Sequence, residues 1–217
     1  MVVKDPLEIG ILALQGDFAA HARAFEREGC LVREVRSPRE MGRIDGLVLP
    51  GGETTTLIKL IHRNGLWDVI RRAPANRCPL YGTCAGMILL AQEVIDPVQE
   101  SLGLLPIRVR RNGYGRQVDS FVAAGQVRVP SDLADPKGPS TISAVDLIFI
   151  RAPVIDEILG SVEVLARHDG VPILVRKGGV LAGSFHPELS DQGIVERIFL
   201  AMVRRARGER PGGNGGG

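Results

Sequence analysis

Cysteine is scarce: Cys30, Cys78 and Cys84 are the only three in a chain of 217 residues. Three thiols build no disulfide framework, so an apolar core must hold the fold, and the expected setting is reducing and intracellular. Long hydrophobic runs are missing too. No stretch approaches the roughly 18 apolar residues of a membrane-spanning helix, and Met1-Val2-Val3-Lys4-Asp5-Pro6 has neither the basic nor the apolar region of a signal peptide. The expected location is the cytoplasm. Charge of one sign is also lacking. With 27 basic against 25 acidic residues the formal net charge is +2, which gives no general attraction to nucleic acid or anionic lipid. A local basic cluster, Arg204, Arg205, Arg207 and Arg210, ends a helix-like stretch, where the helix dipole favours cations; contact with a partner is the other reading. No His, Cys, Asp or Glu group has metal-ligand spacing, so neither a metal nor another cofactor is expected.

What is present reads as an ordinary globular protein, 44% hydrophobic and 24% charged. One domain over 1–207 is expected, followed by a Gly-rich tail, 208–217, that lacks the apolar residues needed to offset ordering entropy and should be disordered. The first 90 residues alternate short β-rich runs with helix-period segments, the pattern of a parallel sheet covered by helices. The run Ile9-Gly10-Ile11-Leu12-Ala13-Leu14 is too continuously apolar for a one-sided strand and suits one buried on both faces. Phe18, Ala22 and Phe25 follow at helical spacing, and Gly29 stops them. Further strands are expected at 31–35, 46–49 and 79–82. A helix with Leu57, Ile58 and Ile61 inward should start near Thr54, whose hydroxyl can cap it. Another helix should carry Met87 to Leu90. The second half reads as strands at 107–110, 121–123, 147–151, 162–167, 173–176 and 180–184. An amphipathic helix through Ile194, Val195, Ile198, Phe199, Met202 and Val203 closes the chain. The stretch 130–143 reads as irregular. The fold class expected is α/β, three-layer α/β/α with a mostly parallel central sheet.

Three local patterns carry chemistry. Gly82-Thr83-Cys84-Ala85-Gly86 lies where a strand hands over to a helix and is the cysteine form of the G-x-S-x-G nucleophile elbow. A sharp turn there exposes the nucleophile in a strained conformation, and close packing on both sides admits only glycine. A buried structural cysteine beside a Gly-rich turn is the alternative. Cys30 and Cys78 lack such context and read as packing residues. Ser184-Phe185-His186-Pro187-Glu188 follows the strand 180–184. A cysteine hydrolase needs an imidazole to take the thiol proton and return it to the leaving amine, and a carboxylate to fix the imidazole's tautomer. His186 and Glu188 meet both needs, although a His-x-Glu pair alone is often an incidental surface pair. His21, His62 and His168 show no comparable partner and read as surface or packing residues. Pro50-Gly51-Gly52-Glu53-Thr54-Thr55-Thr56 can bring a backbone N–H, that of Gly52, to an oxyanion alongside the N–H of Ala85. It lacks the Lys of a phosphate loop. All three patterns fall at the carboxyl ends of expected strands, where open α/β sheets bind ligands.

With these go Leu14-Gln15-Gly16, Arg111-Asn112, the run 115–121 (Gly-Arg-Gln-Val-Asp-Ser-Phe), Ile150-Arg151-Ala152-Pro153 and a Leu189 after Glu188. At this constellation the sequence resembles the class I (triad) glutamine amidotransferases and, within them, the glutaminase subunits of pyridoxal 5′-phosphate synthase, over about 8–204. The resemblance implies the flavodoxin-like form of the α/β fold. It also implies Cys84, His186 and Glu188 as a triad that hydrolyses L-glutamine through a thioester, and Gly52, Glu53, Thr54, Arg111, Ile150 and Arg151 as substrate contacts. It implies a separate synthase subunit as partner in a large hetero-oligomer, with the Gln15 loop linking docking to formation of the oxyanion hole. Thr54 stands where the family usually has Ser, Gly113-Tyr114 where it has Ser-Phe, and 130–143 looks longer than its counterpart. Two other readings compete. A stand-alone cysteine hydrolase or peptidase would leave Arg111-Asn112 and 115–121 without a role, and a non-catalytic scaffold would not need Cys84, His186 and Glu188 together.

Overall fold

A computed structural model describes residues 5–42, 44–111, 120–134 and 142–208. In chain order the elements are β1 (Glu8–Leu12), α1 (Phe18–Arg27), β2 (Leu31–Val35), α2 (Pro38–Met41), β3 (Gly46–Leu49), α3 (Thr54–Arg63), α4 (Trp67–Arg72), β4 (Leu80–Thr83), α5 (Ala85–Leu90), β5 (Ala91–Ile95), β6 (Leu105–Arg110), β7 (Ser120–Arg128), β8 (Ile142–Ile150), β9 (Val154–Ile158), β10 (Glu163–His168), β11 (Val171–Lys177), β12 (Val180–Gly183) and α6 (Ile194–Ala206). Seven strands form the central sheet in the order β10-β11-β12-β4-β3-β1-β2. From β2 to β12 every pairing is parallel, and β11 and β10 add an antiparallel edge.

The continuous apolar runs have the physical cause expected of them. Ile9 and Ile11 of β1, Val48 of β3, Tyr81 of β4 and Leu181 of β12 point into one core with Phe25, Ile198 and Phe199 of α1 and α6. Leu12, Leu47, Leu49, Leu80 and Ala182 point into the other with Leu57, Ile61, Met87 and Leu90 of α3 and α5. Helices cover both faces, giving the three-layer α/β/α arrangement. Starting from β1, the sheet grows outward to β2 on one side and to β3, β4 and β12 on the other. The loops leaving β1 and β3 therefore diverge and open a crevice at their carboxyl ends.

Several local expectations need correction. Thr54 does not cap α3. The chain arrives extended at Glu53 (φ −90°, ψ 111°), and the longer Glu53 side chain accepts from the Thr55 and Thr56 N–H groups at 2.9 and 2.6 Å, leaving Thr54 as the first helical residue. The inner face of α1 adds Ala20, His21 and Ala24 to Phe25, with Phe18 packed partly buried against the core and Ala22 outside the buried set; alanines on both sides of the helix left its phase undetermined by pattern. The hairpin β7–β8 has nine residues in each strand, well beyond 121–123 and 147–151, so residues 142 and 143 are strand, not irregular. Gly125 interrupts its apolar pattern because the Leu147 side chain fills the space a Cβ would need. Helices α2 and α4 are too short to show a period, and β5 and β9 carry too many polar residues to read as strands. Residues 135–141, 112–119 and the tail beyond 208 lie outside the described residues. Among the described residues no helix is long and apolar enough to cross a membrane.

Candidate active site

The elbow is built as its spacing requires. Cys84 joins β4 to α5 with φ 49° and ψ −104°, a left-sided backbone that non-glycine residues rarely adopt and that is held here by its neighbours. Its N–H donates to the Gly183 carbonyl of β12 at 2.8 Å. A Cβ on Gly86 would run into the carbonyl oxygen of Leu49, and one on Gly82 into the backbone of Gly86. A side chain at Gly86 would force α5 off β3, and one at Gly82 would force it off β4.

His186 leaves β12 with its N–H donating to Ile148 O at 2.8 Å. Its Nδ1 lies 2.7 Å from Glu188 Oε1 across a short turn that Pro187 begins. Gly51 measures how close the ring comes to the thiol: a Cβ there would meet His186 Cε1 at 2.8 Å and Cys84 Cβ at 3.5 Å. Imidazole and nucleophile thus face the same glycine. Among the described residues His186 Nε2 has no hydrogen-bond partner, so it is free to exchange a proton. Burial works against an imidazolium, but the adjoining Cys84 sulfur and the Glu188 carboxylate outweigh it and carry the His186 pKa up to about 10. Burial likewise resists ionisation of Glu188, yet His21 and His186 beside it hold its carboxyl below the usual range.

A cavity of about 300 Å³ opens above these groups, lined by Gln15, Gly52, Glu53, Thr54, Cys84, Ile88, Arg111, Ile150, Arg151 and His186. That volume lies at the small end of ligand pockets. Every residue given a triad, oxyanion-hole, substrate or docking role from the sequence is therefore on the cavity wall except Ala85 and Glu188, which are buried beside Cys84 and His186. Arg111 Nη2 is 3.4 Å from Glu53 Oε1. The capping bonds from Thr56 and Thr55 pull the Glu53 pKa down to about 2, so it stays a carboxylate. One rim thus carries a fixed negative charge beside the guanidinium of Arg111, with Arg151, at φ 43°, on the same wall. Gln15 reaches across from β1: its Oε1 accepts from the Glu53 N–H at 2.9 Å, and Gly16 packs so tightly on Gly51 O that a Cβ there has no room. Thr54 donates its hydroxyl to Gln99 Oε1 at 3.1 Å.

Ile88 is a wall residue that the sequence did not single out, because it reads as ordinary helix core. The more consequential omission is His21. Far from lacking a partner, it is fully buried, 3.0 Å from Thr83 Oγ1 and 3.5 Å from Glu188 Oε1. Its place four residues before Phe25, a large apolar residue of α1 that is also fully buried, was the available signal. His62 bonds to Glu100 at 2.8 Å and stacks on Trp67, and His168 packs beside Phe121 and Phe149. Burial pushes the Cys30 thiol up to about 11 and the Cys78 thiol up to about 12, in keeping with packing roles. Arg205 and Arg207 of the basic cluster pair with Asp132 and Asp45. Among the described residues no group of His, Cys, Asp and Glu is gathered closely enough to hold a metal ion.

Comparison with known proteins agrees with this geometry. The sequence pattern of the SNO glutamine amidotransferase family matches residues 11–205. The pyridoxal 5′-phosphate synthase subunit PdxT of Koribacter versatilis (strain Ellin345) is 45% identical over 198 residues, 91% of this chain and 96% of that protein. PdxT of Streptomyces coelicolor is 45% identical over 207 residues, 94% of this chain and 98% of the relative. A crystal structure of a glutamine amidotransferase superposes with a TM-score of 0.80 at 42% identity, covering 90% of this chain and 98% of its own. PurLQS from Thermotoga maritima shares the fold at a TM-score of 0.67 and 15% identity, covering 92% and 98%. With the family pattern spanning nearly the whole chain, and near-full-length relatives well above the threshold of common descent, the chain belongs to the SNO glutamine amidotransferase family.

Proposed function

We propose that the chain is the glutaminase subunit of a two-component pyridoxal 5′-phosphate synthase. It hydrolyses L-glutamine to L-glutamate and ammonia and passes the ammonia to a separate synthase subunit within a large cytoplasmic hetero-oligomer; the catalytic unit spans 1–207. The observation that carries the reading is convergence on one small cavity. A thiol on a strained turn, an imidazole bonded to a buried carboxylate, and paired acidic and basic groups suited to a free α-amino acid all meet there.

The chemistry follows from these positions. Arg111 and Arg151 take the α-carboxylate of glutamine through charge-assisted hydrogen bonds, and Glu53 takes the ammonium. Thr54 and Ile150 complete the wall that directs the side-chain amide toward Cys84. Sγ attacks the amide carbon while His186 holds the proton from the thiol, and the N–H groups of Gly52 and Ala85 stabilise the oxyanion. His186 returns the proton to the departing nitrogen, the C–N bond breaks, and ammonia leaves a thioester on Cys84. Water, deprotonated by His186, then attacks the thioester carbon and releases glutamate and the thiol. Glu188 fixes the proton-bearing Nδ1 throughout. The Gln15 loop, bonded to the Glu53 N–H, connects the partner's docking to the donor loop.

The test is ammonia release from glutamine, with and without the synthase subunit, by the parent and by Cys84→Ala. Release that rises with the partner and vanishes in the variant is expected. Undiminished release by Cys84→Ala would sink the assignment of the nucleophile.

A further inference from the structure

Behind the cavity lies a buried histidine that the reaction as written does not use. His21 is fully buried on α1. Its Nε2 faces two oxygens at once, Thr83 Oγ1 at 3.0 Å, on the residue preceding the nucleophile, and Glu188 Oε1 at 3.5 Å. That same Oε1 is the atom bonded to His186 Nδ1 at 2.7 Å. One carboxylate oxygen therefore sits between two imidazoles, while among the described residues Glu188 Oε2 has no partner. We propose that His21 is a positioning residue, whose Nε2–H holds the Glu188 carboxylate in line for His186 and ties it to the strand that carries Cys84.

The tautomer follows from electrostatics. His21 Nδ1 has no partner among the described residues. A proton on Nδ1 would leave a buried donor unsatisfied and turn a bare Nε2 lone pair toward a carboxylate. A proton on Nε2 avoids both costs and aims a donor at the two oxygens. Burial pushes the His21 pKa down, against the pull of Glu188 and Asp17 and with a further push from His186, so the ring acts as a neutral N–H dipole. Helix α1 places it there. The Asp17 carboxylate caps that helix by accepting from the Ala20 N–H at 3.0 Å, and Phe25 anchors it in the core one turn later.

The inference rests on the triad reading, and the variants separate the two. Gln at position 21 carries its amide nitrogen as many bonds from Cβ as Nε2 is, whereas Asn carries it only as far as Nδ1. In the complex with the synthase subunit, His21→Gln should keep kcat for glutamine within about threefold of the parent. His21→Asn should lose about 10- to 100-fold in kcat, with KM within about twofold, the scale expected when a catalytic group is misplaced by an ångström or so. The pH at which Cys84 reacts with iodoacetamide should move upward in His21→Asn, because a displaced carboxylate supports the imidazolium less well, and should return toward the parent's in His21→Gln. In a Glu188→Gln background the Asn substitution should cost less than about twofold, since nothing remains to position. Equal kcat for the Asn and Gln variants, or an undiminished Asn effect in that background, overturns the proposal. If His21→Asn does not fold, His21→Gln decides alone, and a loss beyond about tenfold in that folded variant overturns it. Parent-level kcat in Glu188→Gln would instead reject the triad, whatever the His21 variants do.

Discussion

The two faces of the central sheet are built from different materials. The core under α3 and α5 is apolar from Leu12 and Leu47 to Met87 and Leu105, with Thr54 of α3 buried only where that core meets the cavity. The core under α1 and α6 is apolar at its centre, with Phe25, Phe199 and Ile198, but the same side also buries His21, Thr83, Glu188 and Glu196, with the hydroxyl of Tyr81. Burying polar groups without full hydrogen bonding costs stability. The dry face can be read as structural, and the wet face marks where stability is given up for a task. Glu188 has that task in the proposed triad.

The largest break in this comparison should come from Glu188→Gln. An amide cannot hold the imidazolium as a carboxylate does, so kcat for glutamine should fall by about a thousandfold in a steady-state assay of the complex, while the unfolding midpoint moves little. A mirror experiment on the dry face should do the reverse. Ile61 is fully buried on α3 and does not line the cavity. Ile61→Ala should cost about 2–5 kcal/mol in urea unfolding and leave kcat of the folded enzyme within about twofold. A large kcat loss at Ile61, or a large stability loss without a kcat loss at Glu188, would erase the distinction between the faces.

The same contrast explains what could be read from the sequence. The dry face was legible, because apolar runs such as Gly46–Leu49 have one physical meaning once their length and neighbours are known. So was the grouping proposed as a triad, because Cys84 has glycines two residues away on either side and His186 and Glu188 are separated by one residue. His21 and Glu196 were not legible. Each is a polar residue on an amphipathic helix, a pattern that ordinarily means solvent exposure, and His21 meets its partners 62 and 167 positions away (83 − 21 and 188 − 21). Only the packing of α1 against β4 and the Glu188 turn reveals it. The full length of the hairpin β7–β8 escaped for a different reason: Gly125, Gln126 and the alanines of β7 give no alternation to count.

Glu196 yields the smallest and most diagnostic effect. It sits in the first turn of α6 and is almost fully buried, and neither carboxylate oxygen has a partner among the described residues. Burial raises its pKa to about 7, against its own backbone N–H and with help from the charges of Glu188 and Glu28. The folded state therefore keeps a proton that the unfolded chain, titrating near 4.5, has released. Between those two values the folded state binds more protons, so stability must fall as pH rises through that window and stay lower above it. Glu196→Gln has no proton to lose and should escape that fall. Relative to the parent, the variant should gain about 1–3 kcal/mol in unfolding free energy between pH 5 and pH 8, measured by urea titration at both pH values. Taking the difference between variant and parent cancels the titration of all other groups. If the two proteins run parallel across that range, Glu196 ionises freely and the wet face is less costly at this position than its burial implies. If they diverge, the side of the sheet that holds the triad also holds a carboxyl kept neutral by its surroundings, and the asymmetry between the two cores extends beyond the residues that touch substrate.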